Sequence, residues 1–304
     1  MQTILGAGGA IGTDLAQELA HYTDRIRLVS RHPKKVNDSD ELMAADLSDA
    51  AQVEKAVAGS EVVYLTIGFE YNINAWRQKW PPLMEAVIAA CEKHHAKLVF
   101  FDNIYMYDRD YLGHMTEETP IRPTSEKGAV RAQIAQMLLD AMEQKKITAL
   151  IARAADFIST SNSVLVEMGL KNLKKGKKAM WMVDADKIHS FTFTPDAAKA
   201  VALLGNTPEA YNQVWHLPTD SSKLTGKQWI ALMAKELNVP AKYQILPVWM
   251  MRLLGLFIPT LKGFIEMTYQ YDRDYFFDSS KFEKQFNIKP TTPEESIPYI
   301  AQKL

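Results

Sequence analysis

The sequence is poor in cysteine: Cys91 is the only one in 304 residues. A lone thiol forms no intramolecular disulfide and supplies no Cys-based zinc cage, which fits a reducing cytoplasm. An excess of charge of one sign is also missing, because Lys+Arg 35 against Asp+Glu 36 leaves a formal net charge of -1. No global field then draws the chain to nucleic acid or anionic lipid, and neither is expected as a partner. Glycine and proline stand at only 14 each beside 47% hydrophobic residues, which excludes collagen-like and disordered chains. The length suits two lobes, or one large α/β unit with a sizeable core.

Long uninterrupted apolar runs are absent too. The nearest is Tyr243 to Leu261, broken by Arg252, and neither half reaches the roughly 20 residues of a membrane span. That stretch reads as buried or amphipathic structure, with Trp249 to Ile258 in the core of a lobe. Met1 leads into Thr3-Ile4-Leu5 with no basic segment and long apolar stretch, so no secretory leader is expected. His94 and His95 are adjacent, and the seven histidines contain no H-x-x-x-H pair, so no metal site is expected. A G-x-S-x-G nucleophile elbow is lacking, which speaks against a hydrolase.

What is present is an alternation. Short β-branched or aromatic runs at Thr3-Leu5, Ile26-Ser30, Val62-Ile67, Lys97-Phe101 and Ile147-Ala152 are separated by segments of helical period. Ile11, Leu15 and Leu19 share one helix face, as do Val130, Ile134 and Leu138. Strands this apolar require cover on both faces, so the pattern predicts an α/β doubly wound parallel sheet. Pro195 and Asp196 mark a helix start after Phe191-Thr192-Phe193-Thr194. Residues 1–156 form the expected first domain, with 190–217 returning to it; 157–189 and 218–304 form a smaller lobe, mostly C-terminal. The lysines between 171 and 178 read as a solvated face.

Between the first strand and first helix lies Gly6-Ala7-Gly8-Gly9-Ala10-Ile11-Gly12. Gly6 permits a tight turn, Gly9 or Gly8 admits a diphosphate to the backbone N–H groups, and Gly12 allows close helix–strand packing. With Ala10 and Ile11 this loop is a candidate dinucleotide site at a helix N-terminus. The second strand ends at Ser30-Arg31 rather than at an acid. A guanidinium pairs with a 2′-phosphate, which favours NADP over NAD.

These residues, with Ala45-Asp46-Leu47, Val62-Val63-Tyr64-Leu65-Thr66, Tyr105-Met106-Tyr107 and Phe282 to Pro293, resemble the extended short-chain dehydrogenase/reductase superfamily over nearly the whole chain. Its atypical NAD-dependent epimerase/dehydratase-like and NmrA-like members are the most similar. The resemblance implies a Rossmann core, a nicotinamide dinucleotide and a C-terminal α/β substrate lobe. It implies that Asp46 and Leu47 frame the adenine, that Thr66, Ile67 and Gly68 line the cofactor, and that Asp156 contacts substrate. Trp76 and Trp80 either line the substrate pocket or anchor a helix.

The family's active site combines a Ser or Thr after the fifth strand with a Tyr-x-x-x-Lys pair. This chain departs from it: Asn103 stands in the first position, Lys127 replaces the tyrosine and Arg131 the lysine. Arg131 is the expected anchor of the nicotinamide ribose, but an arginine does not surrender a proton. Lys127 serves as the acid if burial and Arg131 make its ammonium a readier donor. Tyr105 is the second candidate, and Asn103 suits orientation of a carbonyl or hydroxyl. The competing reading makes Lys127 and Arg131 surface charges on an amphipathic helix. Two functions follow: an NADP-preferring oxidoreductase or epimerase-like enzyme acting by hydride transfer on a small carbonyl or hydroxyl compound, or an inactive NAD(P)(H)-binding redox sensor. Oligomeric state is left open.

Overall fold

The computed structural model describes residues 1–257 and 259–304. Seven parallel strands form the central sheet: β1 (Gln2–Leu5), β2 (Ile26–Ser30), β3 (Glu41–Ala44), β4 (Val62–Leu65), β5 (Lys97–Asp102), β6 (Ala149–Arg153) and, after the short strands β7 (Asp156–Ile158), β8 (Ala179–Met182) and β9 (Phe191–Phe193), β10 (Val214–His216). Their order is β3-β2-β1-β4-β5-β6-β10, so the chain winds outward from β1 in both directions. This is the expected doubly wound Rossmann-type fold. Its reversal of direction falls between β1 and β4, where such sheets open a crevice at their C-terminal edge.

Helices α1 (Gly12–Leu19), α2 (Ala50–Val57), α3 (Ile73–His94), α4 (Glu126–Glu143), α5 (Lys171–Lys174) and α6 (Thr194–Gly205) follow in chain order. On one face of the sheet Leu15 and Leu19 of α1 pack with Ala197, Val201 and Leu204 of α6 against Ile4 and Leu28. On the other, Val53, Val87, Ile134 and Leu138 from α2, α3 and α4 cover Leu5, Val63 and Phe100. Each such fully buried side chain contributes about 1.5–3 kcal/mol, which is why the strands carry no polar alternation. The Ser125 hydroxyl accepts from Gly128 N and starts α4 at a defined point.

The smaller lobe holds the parallel pairs β7 with β9 and β8 with β11 (Tyr243–Leu246), and α7 (Gly226–Glu236), α8 (Val248–Leu254), α9 (Pro259–Ile265) and α11 (Pro293–Gln302), whereas α10 (Ser280–Phe286), expected in that lobe, packs Phe282 and Phe286 against Trp215 of β10 in the core of the larger domain. The core of the smaller lobe gathers Leu165, Trp181, Phe191, Trp229 and Ile297.

Two further features differ from expectation. Strand β3 was not expected, because its Leu42-Met43-Ala44 run is short and holds no β-branched or aromatic residue; it is an edge strand with Glu41, Leu42 and Ala44 exposed and Met43 half-buried against the core. The stretch Trp249 to Ile258 is only in part lobe core: Met251 is buried in it and Met250 and Leu254 pack against it, but Trp249, Leu253, Leu256 and Phe257 are 67%, 54%, 77% and 81% exposed, and Ile258 lies outside the described residues. A helix as short as α8 buries one stripe only, and these residues lie off it. Among the described residues no helix is long and apolar enough to cross a membrane.

Candidate active site

The glycine loop closes β1 onto α1 at the switch in strand order. Gly6 has φ +103°, and a Cβ there would lie 2.6 Å from the backbone of Ile67. Gly6 therefore brings the ends of β1 and β4 together and places Thr66, Ile67 and Gly68 beside the loop. A Cβ on Gly12 would meet Ala7 O at 2.7 Å, so only glycine lets α1 start this close to the strand. Gly8, by contrast, faces open space, with nothing within 4 Å of a Cβ built on it. No side chain caps α1, whose N-cap Ile11 is buried in the core. Ile11 thus offers only its main chain. Uncapped helix amides behind a glycine cradle are the donor set that a diphosphate requires, so these residues fit a dinucleotide.

Ser30 and Arg31 end β2, with Arg31 exposed. Asp46, also exposed, follows β3; hydrogen bonds from Ser48 pull its carboxyl below the usual range, helped by the charges of Arg31 and Lys79. The next side chain, Leu47, is buried.

Beyond β5, Asn103 Oδ1 accepts from Tyr105 N at 3.1 Å, which fixes the turn carrying Tyr105. The Tyr105 ring lies parallel to Trp76, centroids 6.2 Å apart, and its hydroxyl accepts from Tyr71 at 3.4 Å. Trp76 Nε1 donates to Glu70 O, so this indole both anchors α3 and walls Tyr105. Burial, and then the charge of Asp156, push the Tyr105 phenol well above its ordinary value. It holds its proton through the neutral range.

The two cations of α4 are not surface charges. Lys127 is 1% exposed; its Nζ donates to Gly263 O at 2.9 Å and to Glu266 Oε1 at 2.5 Å, and lies 4.4 Å from the Tyr71 ring centre. Arg131 is 3% exposed, forms an ion pair with Asp102 through Nε and Nη2, and stacks on Trp80 and Phe100. The helical spacing that aligns them also aligns each with its own carboxylate. The ribose-anchor role expected of Arg131 gives way to this buried pair. The acid role expected of Lys127 required burial and Arg131 to make its ammonium a readier donor; Lys127 instead pairs with Glu266, and Arg131 with Asp102.

Asp102 also receives Arg153, its in-register partner on β6. Arg153 Nη1 donates to the Tyr107 hydroxyl, which donates to His216 Nε2 at 2.7 Å; His216 Nδ1 then donates to Asp278 O at 2.7 Å. Burial drives the His216 imidazole down to about 3.

Asp156 sits at the start of β7 among aromatic side chains. Its Oδ2 accepts from His189 and Tyr271. The site therefore brings together Asn103, Tyr105, Trp76 and Asp156, and adds Tyr71, His189, Tyr271, Tyr275 and Glu266, which sequence reasoning missed. The density of tyrosines in Tyr269 to Tyr275 was the available signal.

A doubly wound sheet with an open glycine cradle at its switch point defines a dinucleotide-binding protein. More narrowly, the model of the NAD dependent epimerase/dehydratase family matches residues 3–216, and the chain belongs to that family. It is similar in fold to dTDP-glucose 4,6-dehydratase from Streptomyces venezuelae with NAD bound, at TM-score 0.79 and 13% identity over 99% of this chain and 96% of that one. The UDP-glucose 4-epimerase of Thermus thermophilus in complex with NAD gives 0.77 and 15% over 99% and 98%. A nucleoside-diphosphate-sugar epimerase from Staphylococcus aureus gives 0.71 and 16% over 98% and 99%. No curated protein matches the chain in sequence.

Proposed function

We propose that the protein is an NADP-preferring oxidoreductase acting on a small carbonyl or hydroxyl compound. The carrying observation is the fitted cradle of Gly6, Gly8, Gly9 and Gly12 at the uncapped start of α1, together with a protonated Tyr105 aligned beyond β5 by Asn103 and Trp76. Main-chain donors of residues 10 to 12 hold the diphosphate, the Gly9 amide being taken by Gly6 O, while Thr66, Ile67 and Gly68 line the bound dinucleotide, Asp46 and Leu47 flank the adenine, and Arg31 faces the 2′-phosphate. When bound, the nicotinamide supplies the hydride chemistry. Asn103 orients the substrate oxygen through its amide, and Tyr105 donates the proton to that oxygen. A phenol that keeps its proton favours the donor role, hence carbonyl reduction. Lys127 is left with the task of tying α4 to Gly263 and Glu266.

A second reading, a redox sensor without turnover, draws support from the pairing of both Lys127 and Arg131 with carboxylates. One experiment separates the two. Fluorescence titration with NADPH and NADH is followed by a screen of aldehydes and ketones for nucleotide oxidation. The enzyme reading expects NADPH to bind more tightly, with turnover that Tyr105→Phe removes. Arg31→Ala then lowers NADPH affinity about ten-fold and leaves NADH unchanged. Tighter NADH binding defeats the NADP assignment, and inertness toward every carbonyl tested favours the sensor.

A further inference from the structure

Asp156 is a carboxylate only half satisfied by the protein. Oδ2 accepts from His189 Nε2 at 3.0 Å and from the Tyr271 hydroxyl at 2.9 Å. Oδ1 has no hydrogen-bond partner among the described residues, and the side chain keeps 18% exposure. His189, 2% exposed, is stacked between Tyr271 and Tyr275 at centroid distances of 4.4 and 4.3 Å. The Tyr275 hydroxyl is buried without a partner. Asp156 lies close enough to Tyr105 and Tyr71 for its charge to act on both phenols.

An anion set among aromatic rings is costly unless each oxygen is compensated. Here one oxygen is fixed by two donors from the lobe, and the other has no donor among the described residues while the side chain stays partly exposed. A carboxylate with one oxygen left without a donor recognises a cation by charge. It repels a phosphate. The nearby cations that would offset that repulsion are already paired, Lys127 with Glu266 and Arg131 with Asp102.

We propose that Asp156 Oδ1 binds an ammonium group of the substrate, so that the compound acted on beside Tyr105 is an amino ketone or amino alcohol and carries no phosphate at that position. This rests on the surroundings of Tyr105 being the substrate site, as proposed above. Asp156 acts as a specificity residue, held in place by His189 and Tyr271.

Saturation-transfer NMR and calorimetry on the full chain, with and without NADP, test this with three probes of one skeleton: 1-amino-2-propanol, propane-1,2-diol and propane-1,2-diol 1-phosphate. The amino alcohol should bind at least about ten-fold more tightly than the other two. Asp156→Asn should remove that preference and leave NADPH affinity unchanged. Equal or tighter binding of the diol or the phosphate ester overturns the proposal, as does a folded Asp156→Asn protein that keeps the wild-type order. Should Asp156→Asn fail to fold by circular dichroism, the rank order in the wild-type protein decides alone. If neither nucleotide binds while the probe order holds, the cofactor reading fails and this one stands.

Discussion

Lys127 and Glu266, 139 residues apart in sequence, form a 2.5 Å ion pair that ties the first turn of α4 to the residue just beyond α9. The pair stands where the resemblance places the tyrosine of Tyr-x-x-x-Lys, and it makes this position a tie between the two lobes. Glu266 also accepts from the amides of Glu126 and Lys127, so it caps α4 from outside the helix.

A Lys127→Met variant should therefore lose stability and keep chemistry. Glu266 is 24% exposed and can turn toward water when its partner is gone. The expected loss is about 1–3 kcal/mol in urea unfolding, below that for breaking a fully buried pair. A double-mutant cycle with Glu266→Gln should return a coupling of about 1–2 kcal/mol. A fall in kcat of about a hundred-fold at unchanged stability would put Lys127 back among the proton donors.

Tyr105→Phe should do the opposite. Removing a positioned proton donor lowers carbonyl reduction by about 10²–10⁴, while the ring contact with Trp76 and the fold survive. Because burial and Asp156 raise the Tyr105 phenol, it stays protonated as pH rises through neutrality, and the wild-type reduction rate should lack a basic limb between pH 6 and 9. A rate falling from pH 7 upward would assign the proton to another group.

The His216 ring should keep its proton on Nδ1 in mildly acid solution. Its donor bond to Asp278 O and its acceptor bond from Tyr107 fix that tautomer. The folded value is about 3 against 6.5 for the free side chain. The unfolded chain therefore binds a proton that the native state refuses, and stability falls as pH drops from about 6.5 toward 3. At pH 5 this component amounts to about 2 kcal/mol. Nitrogen-15 NMR of the ring checks the tautomer, and an imidazolium signal at pH 6 would contradict it.

Much of this was readable in the residue pattern, and the rest was not for identifiable reasons. Apolar runs revealed five of the strands and the doubly wound class, since burial on both faces leaves no other composition open to them. Edge strand β3 was missed because its Leu42-Met43-Ala44 run is short and holds no β-branched or aromatic residue. Lys127 and Arg131 were visible as a helix-face pair, yet their partners were not: Asp102 ends a strand 29 residues away, and Glu266 belongs to the other lobe. Spacing rules report neighbours along one element, and ion pairs across elements need the fold. The exposed Trp249, Leu253, Leu256 and Phe257 show the same limit, because apolar composition does not say which side a short helix buries.

Substitutions in the glycine loop should separate folding from nucleotide binding. At Gly6 an alanine meets two obstacles in the free protein, the φ of +103° and the Ile67 backbone at 2.6 Å. Gly6→Ala should cost at least about 2 kcal/mol of stability whether or not a cofactor is present. At Gly8 the added methyl meets nothing within 4 Å, so the free protein should unfold within about 0.5 kcal/mol of wild type. In the proposed binding mode that open space is the approach by which a diphosphate reaches the amides at the start of α1. Gly8→Ala should then weaken NADPH binding by about ten-fold or more. Thermal unfolding and nucleotide titration on both variants supply the comparison. A Gly8→Ala protein with wild-type affinity would show that the loop does not receive the cofactor's phosphates on that side.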